Sequence, residues 1–185
     1  LSLDDPLSRF SLGVAIPNAE NITARELCNM RSGLFEGYDT PQFAQLNWKV
    51  PKDFNPRMIV GWAMKQKPYF PPGKGYHYTN TNYLLLGMII ESITKDSVGS
   101  QIRKRLLEPF GFKQTSYPET EAMPSPWVHG YHLDKEGNWK DISNTIPVVF
   151  MGSAGAMISD MNDMRRWIEL YATGKTCGAG TYNDL

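Results

Sequence analysis

The chain has 185 residues, of which 41% are hydrophobic and 21% charged, and its 19 basic residues are balanced by 19 acidic ones. That length and composition belong to a globular chain able to bury one sizeable core, not to a disordered tail. Zero net charge, with no basic cluster denser than Arg103-Lys104-Arg105, excludes nucleic acid as a partner class, because phosphate binding draws on grouped Lys and Arg.

Taken in chain order, the elements are mostly helices joined by long loops. Thr23-x-x-Glu26 is a capping box, with Leu27 and Met30 facing inward and Gly33 placed to end the helix. Asn55-Pro56 reads as N-cap and first turn of a helix carrying Met58, Ile59, Trp62 and Ala63, which stops before Pro68. Residues 82–94 are apolar on most sides, which predicts a central, buried helix. Their longest apolar run, residues 84–90 with Gly87 inside it, is far short of the roughly 20 residues that span a bilayer, so no membrane span is expected. Asp96 or Ser97 can cap a further helix, with Val98, Ile102 and Leu106 as its apolar repeat and Pro109 as its end.

Residues 127–133 and 139–142, joined by Asp134-Lys135-Glu136-Gly137-Asn138, read as a β-hairpin. A last helix opens at Ser159, carries Met161, Met164, Trp167, Ile168 and Tyr171, and ends at Gly174. There are no internal repeats and no linker, so residues 1–185 are expected to form a single, mainly α unit with one small β-hairpin.

Cys28 and Cys177 can pair or stay free; neither has a metal-ligand neighbour, and Cys28 is expected on a helix as a small buried residue. His129 and His132 have a spacing that can serve a metal, but a strand puts them on opposite faces and no third ligand is near, so no metal is expected. Gly174-Lys175-Thr176 ends like a phosphate-binding loop, yet Glu169 stands where that loop needs Gly and a helix precedes it where a strand should. No cofactor is expected either.

The most informative stretch is Pro71-Pro72-Gly73-Lys74-Gly75-Tyr76-His77-Tyr78-Thr79-Asn80, directly ahead of the buried helix. In a bent, non-helical loop, side chains two apart can enter one cavity, so the Tyr78 phenol and the Asn80 carboxamide face a common substrate. The phenol can shuttle a proton while the amide holds neighbouring groups. Alone, the tripeptide is equally a polar loop capping a helix.

The flanking residues favour the functional reading. Tyr78-Thr79-Asn80 resembles the Tyr-x-Asn element of the serine β-lactamase and D-alanyl-D-alanine peptidase superfamily. Ile22-Thr23-Ala24-Arg25-Glu26-Leu27 with Arg31-Ser32-Gly33-Leu34, Leu85-Leu86-Gly87-Met88-Ile89-Ile90-Glu91, Pro109-Phe110-Gly111-Phe112, His129-Gly130-Tyr131 and Ser153-Ala154-Gly155-Ala156 are similar to its other signatures, in the same order. The branch most resembled holds the D-Ala-D-Ala carboxypeptidases and D-amino-acid amidases.

The resemblance implies the helical region of an α/β β-lactamase/transpeptidase-like fold, lacking most of the sheet, with apolar residues exposed unless missing segments or a partner chain cover them. It implies acyl transfer through a serine ester on a small peptide, amide, ester or β-lactam substrate, and a periplasmic or secreted protein. Tyr78 and Asn80 are the catalytic residues it carries over. His77, Phe150 and Ser153 fall where it places substrate contacts, although Phe150 is as well explained by core packing and His77 by an exposed loop. The superfamily's Ser-x-x-Lys and Lys/His-Thr-Gly are not in their expected places here. Ser92-Ile93-Thr94-Lys95 satisfies the first pattern but follows Tyr78 instead of preceding it. The isolated chain is therefore expected to be inactive, with an esterase or amidase on the same fold, or a peptide-binding homologue without catalysis, as alternatives.

Overall fold

The computed structural model describes residues 2–118, 126–143 and 147–176. They fall into two compact units, residues 1–98 with 128–156, and residues 99–127 with 157–185.

The first unit is built around a 15-residue helix, Asn80–Thr94 (α4). Its sequence is apolar nearly all round, and Leu84, Leu85, Gly87, Met88 and Ile89 are buried. A helix of that kind has to be covered on several sides. Ala24–Cys28 (α1), Arg57–Ala63 (α3) and a one-turn helix at Gly152–Ala154 cover it, while Pro41–Gln45 (α2) packs beside the turn Gly37–Asp39. Leu7, Ile22, Leu27, Leu34, Ile59, Val60, Leu85 and Phe150 are shut off from solvent and form the centre of the core. Gly87 is the point of closest approach: a Cβ there would lie 2.2 Å from Ser153 Oγ, so only a residue without one lets the 152–154 turn reach α4.

Local signals set the helix ends. Thr23 accepts a hydrogen bond from the Glu26 N–H and Glu26 accepts one from the Thr23 N–H, the expected capping box. Thr40 caps α2 ahead of Pro41, and the Asn55 side chain accepts from Arg57 N–H at 2.9 Å to start α3. Gly33 does not end α1. Met30 takes the left-handed turn at φ 58°, and Gly33, at φ 75°, is required because a Cβ would fall 2.0 Å from the Phe70 carbonyl oxygen. Cys28 is on α1 as expected but is exposed, not buried; the residues this helix buries are Ala24 and Leu27. Cys177 lies outside the described residues.

The hairpin is shorter than expected, Tyr131–Leu133 (β1) against Trp139–Asp141 (β2), with Tyr131 opposite Asp141 and Leu133 opposite Trp139. Asp134 nucleates its loop by accepting from the Glu136 and Asn138 N–H groups, and Gly137 takes the φ of 84° that closes it. All six strand residues are exposed.

The second unit contains Gly99 onward of the helical run Val98–Ile102 (α5), Arg103–Leu107 and Glu108–Phe110 (α6). Pro109 was expected to end this helix and does not. The middle segment is π-helical, with Glu108 N–H reaching back five residues to Arg103, so the backbone is already widened where Pro109 has no N–H to give. Gly111, at φ 66°, ends it instead. Ser116 pairs with Ile158 through both backbone bonds. Asp160 caps the helix Met161–Ala172 (α7). Gly174 ends it, as expected, in a Schellman turn in which Gly174 N–H reaches Tyr171 and Lys175 N–H reaches Leu170. Met161, Met164, Ile168 and Tyr171 form an exposed apolar stripe along α7. Among the described residues, no helix is long and apolar enough to cross a membrane.

Candidate active site

The loop that leads into α4 is stitched to the segment after α1. Tyr69 N–H donates to Gly33 O at 2.8 Å, Gly73 N–H to Arg31 O at 2.9 Å and His77 N–H to Met30 O at 3.1 Å. The Arg31 guanidinium returns a 2.6 Å bond to Gly73 O. Residues 30–33 and 69–77 thus hold one another.

Thr79 closes the loop and opens the helix. Its backbone is extended (φ −150°, ψ 127°), and its side chain accepts from Thr81 N–H at 3.2 Å. Asn80 is the first residue of α4, so the expected non-helical placement of the whole Tyr-x-Asn element holds for Tyr78 and not for Asn80. The extended cap between them still aims both side chains the same way: the Tyr78 hydroxyl donates to Asn80 Oδ1 at 3.2 Å. Tyr78 is 58% exposed, so the pair presents itself at the surface of the unit.

Beneath the pair lies a buried polar frame centred on Glu36, a residue the sequence did not single out. Glu36, 6% exposed, accepts from Tyr38 N–H at 2.9 Å through one oxygen. Its other oxygen accepts from Asn80 N–H at 2.6 Å and from Asn80 Nδ2 at 3.3 Å. A carboxylate at that place also meets the positive end of α4. Thr81 Oγ1 donates to Phe35 O at 2.9 Å and accepts from Gly37 N–H at 2.9 Å. Asn82, fully buried, accepts from Ser32 Oγ at 2.6 Å and donates to Leu27 O at 3.2 Å. Tyr38 donates its hydroxyl to the Phe150 carbonyl. Burial first, then the Glu36 and Tyr78 charges, pushes the Tyr38 phenol well above its ordinary value, so Tyr38 stays a donor.

The remaining candidates lie elsewhere. The His77 ring stacks on Tyr69, centroids 3.8 Å apart, and its Nδ1 is 2.8 Å from Tyr78 O, so it braces the loop from the side. Phe150 has no exposed surface and packs edge-on against Phe43 and Phe54, at 5.4 and 4.8 Å, with Trp48 tilted against it. That makes it a core residue in this chain. Ser153 donates to Tyr83 O at 2.8 Å against the flank of α4. Ser92 and Lys95 are at the far end of α4, about 18 and 22 Å along its axis from Asn80 at the usual rise per residue.

Among the described residues, no group of three or more His, Cys, Asp or Glu could hold a metal ion. His129 instead lies 2.7 Å from Asp141. The Ser143 hydroxyl and N–H, and after them His129, hold the Asp141 carboxyl down to about 2. The second unit has an apolar cavity of about 290 Å³ between Leu106, Phe112, Met157, Met164 and Trp167. Asp163, at its edge, is already satisfied by Gln114 N–H and Thr115 Oγ1, both at 2.8 Å.

A phenol and a carboxamide held in register over a rigid frame can pass a proton and orient a partner group, and known proteins share the arrangement's scaffold. The chain is 28% identical over 173 residues to Protein flp of Staphylococcus aureus (strain MW2), covering 91% of this chain and 33% of that protein. A D-stereospecific amidohydrolase from Streptomyces sp. superposes with a TM-score of 0.85 at 28% identity, over 99% of this chain and 57% of that one. D-amino acid amidase from Ochrobactrum anthropi SV3, in complex with L-phenylalanine amide, gives a TM-score of 0.84 at 25% identity, over 98% and 51%. The chain thus spans about a third of the curated relative and a little over half of the solved chains. Residues 1–182 match the Beta-lactamase family, and with the fold of these hydrolases carried over the whole chain, the protein belongs to the β-lactamase family.

Proposed function

We propose that the protein to which this chain belongs is a serine hydrolase working by acyl transfer, and that Tyr78 and Asn80 are its contribution to the catalytic site. The observation that carries this is the 3.2 Å bond between the Tyr78 hydroxyl and Asn80 Oδ1, at the exposed start of a buried helix. In this reading a serine supplied by chain outside these 185 residues attacks the substrate carbonyl, and its proton passes by way of Tyr78 to the leaving amine. Water then cleaves the ester, with Tyr78 as the acceptor of its proton. An ordinary phenol keeps its proton at neutral pH, so this exchange needs an ammonium near Tyr78, which the resemblance assigns to the lysine of the missing Ser-x-x-Lys.

Within this class, amides of D-configured amino acids are the favoured substrates, because the solved neighbours described above carry D-stereospecific amidohydrolase and amidase names. The test uses the intact protein: labelling by a β-lactam or a fluorophosphonate, then turnover of D-amino-acid amides, D-Ala-D-Ala peptides and short acyl esters. Labelling with preferential release from D-amides is the expected result. No labelling by either probe would leave a binding protein without catalysis, and faster ester turnover would replace the amidase by an esterase.

A further inference from the structure

Glu36 is an unusual residue to bury. Taking a carboxylate out of water costs several kcal/mol unless hydrogen bonds replace its hydration. Here all three replacements are N–H groups and none is a cation: Tyr38 N–H on one oxygen, Asn80 N–H and Asn80 Nδ2 on the other. A carboxylate accepts and cannot donate. The Asn80 amide therefore has one permitted orientation. Turned over, its carbonyl oxygen would stand 3.3 Å from a carboxylate oxygen, acceptor against acceptor, in a buried place. With Nδ2 held by Glu36, Oδ1 faces the Tyr78 hydroxyl and accepts from it. Glutamine could not keep all three of these bonds. Both ends of the Glu36 side chain meet N–H donors, and a carboxamide would turn its own NH₂ toward one of them.

Glu36 also ties two distant pieces of chain to one point. Its side chain caps the turn Gly37–Asp39 and binds the first residue of α4, 44 positions later. The start of α4 and the segment after Gly33 cannot shift apart without losing the carboxylate's partners. We infer that Glu36 is a positioning residue for the Tyr78 and Asn80 pair, its buried carboxylate holding the Asn80 carboxamide with the oxygen turned to the Tyr78 hydroxyl. The inference rests on the acyl-transfer function proposed above.

The test is a double-mutant cycle on the intact protein, with Glu36→Gln, Asn80→Ala and the double variant, following the acylation rate, KM and thermal unfolding. Glu36→Gln should lower the acylation rate by about 10- to 100-fold, the usual penalty for misplacing a catalytic group by about 1 Å, with KM within about 3-fold. In the Asn80→Ala background the same change should cost less than about 3-fold in rate, since the group it positions is gone, while it should still lower the unfolding midpoint, because the Tyr38 and Asn80 backbone N–H groups keep their need of the carboxylate. If Glu36→Gln does not fold, Glu36→Asp keeps both oxygens but draws them back by one methylene. It should then lose about 3- to 10-fold in rate, again only when Asn80 is present. Equal losses in both backgrounds would reduce Glu36 to a structural residue, and a wild-type rate in either variant overturns the inference. Wild-type protein that neither probe labels overturns the acyl-transfer reading and the role of Glu36 with it. Labelled wild type with additive variants overturns the role of Glu36 alone.

Discussion

Asn82 Oδ1, buried inside the first turns of α4, accepts a 2.6 Å hydrogen bond from Ser32 Oγ, 50 residues earlier in the chain. The same serine oxygen accepts from Leu34 N–H at 3.1 Å, so it stands at the junction of the Ser32-Gly33-Leu34 turn and the helix that starts the candidate site. Ser32→Ala should destabilise the protein by about 1–3 kcal/mol, the cost of leaving a buried acceptor without a donor. Asn82→Ala should cost more, because it also removes the bond to Leu27 O. Urea unfolding of both variants checks the order, and a Ser32→Ala midpoint equal to wild type contradicts it.

Gly87 and Ser153 form a second close pairing. The Cβ of Gly87→Ala would fall 2.2 Å from Ser153 Oγ and 2.6 Å from its Cβ, so backbone has to move. A loss of about 1–3 kcal/mol is expected, in the range of overpacked cores. Ser153→Gly should recover a large part of it when the two are combined, whereas Ser153→Ala should recover little because the Cβ remains. Thermal melts of the single and double variants measure the coupling.

The Tyr38 phenol gives stability a definite alkaline limit. Its folded value is raised, first by burial, above an unfolded value of 10.0, so the folded state binds the proton more tightly. The associated stability is fully present below pH 10 and is lost as pH rises beyond it. Tyr83 is shifted in the same direction, also chiefly by burial. Tyr38→Phe should flatten the fall in unfolding midpoint above pH 10 while costing about 1 kcal/mol at neutral pH for the bond to Phe150 O. An unchanged alkaline slope would place the cause elsewhere.

Tyr78 and Phe150 should separate cleanly by readout. Tyr78→Phe removes one exposed hydroxyl and should leave the melting temperature within about 1 °C, since exposed substitutions rarely exceed about 0.5 kcal/mol. In the intact protein it should lower turnover about 10²- to 10⁴-fold, the usual share of a proton-transfer group. Phe150→Ala should do the reverse of this pattern on stability, costing about 3–5 kcal/mol because the ring is enclosed by Phe43, Trp48 and Phe54. Loss of turnover with unchanged stability in Phe150→Ala would restore it to the substrate pocket.

The sequence by itself determined whatever depends on neighbours a few positions apart. Thr23 and Glu26 cap each other across three residues, α4 is apolar nearly all round, Gly174 ends α7, and Tyr78 reaches Asn80 across two. Short-range geometry of this sort follows from helix and turn periodicity, so residue identity suffices. Only the tertiary structure decided which side chains meet across long loops. Glu36 has one local bond, from Tyr38 N–H, which marks it only as the cap of a turn, and its role toward the site exists only because folding brings Asn80 to it from 44 residues away. Phe150 becomes core for the same reason, its aromatic neighbours coming from the first third of the chain. Pro109 passes through a helix because the preceding turn widens, a backbone choice that the residue's intrinsic preference does not contain. A buried carboxylate and a buried ring are each selected by what surrounds them in space, and that is settled by packing, not by spacing along the chain.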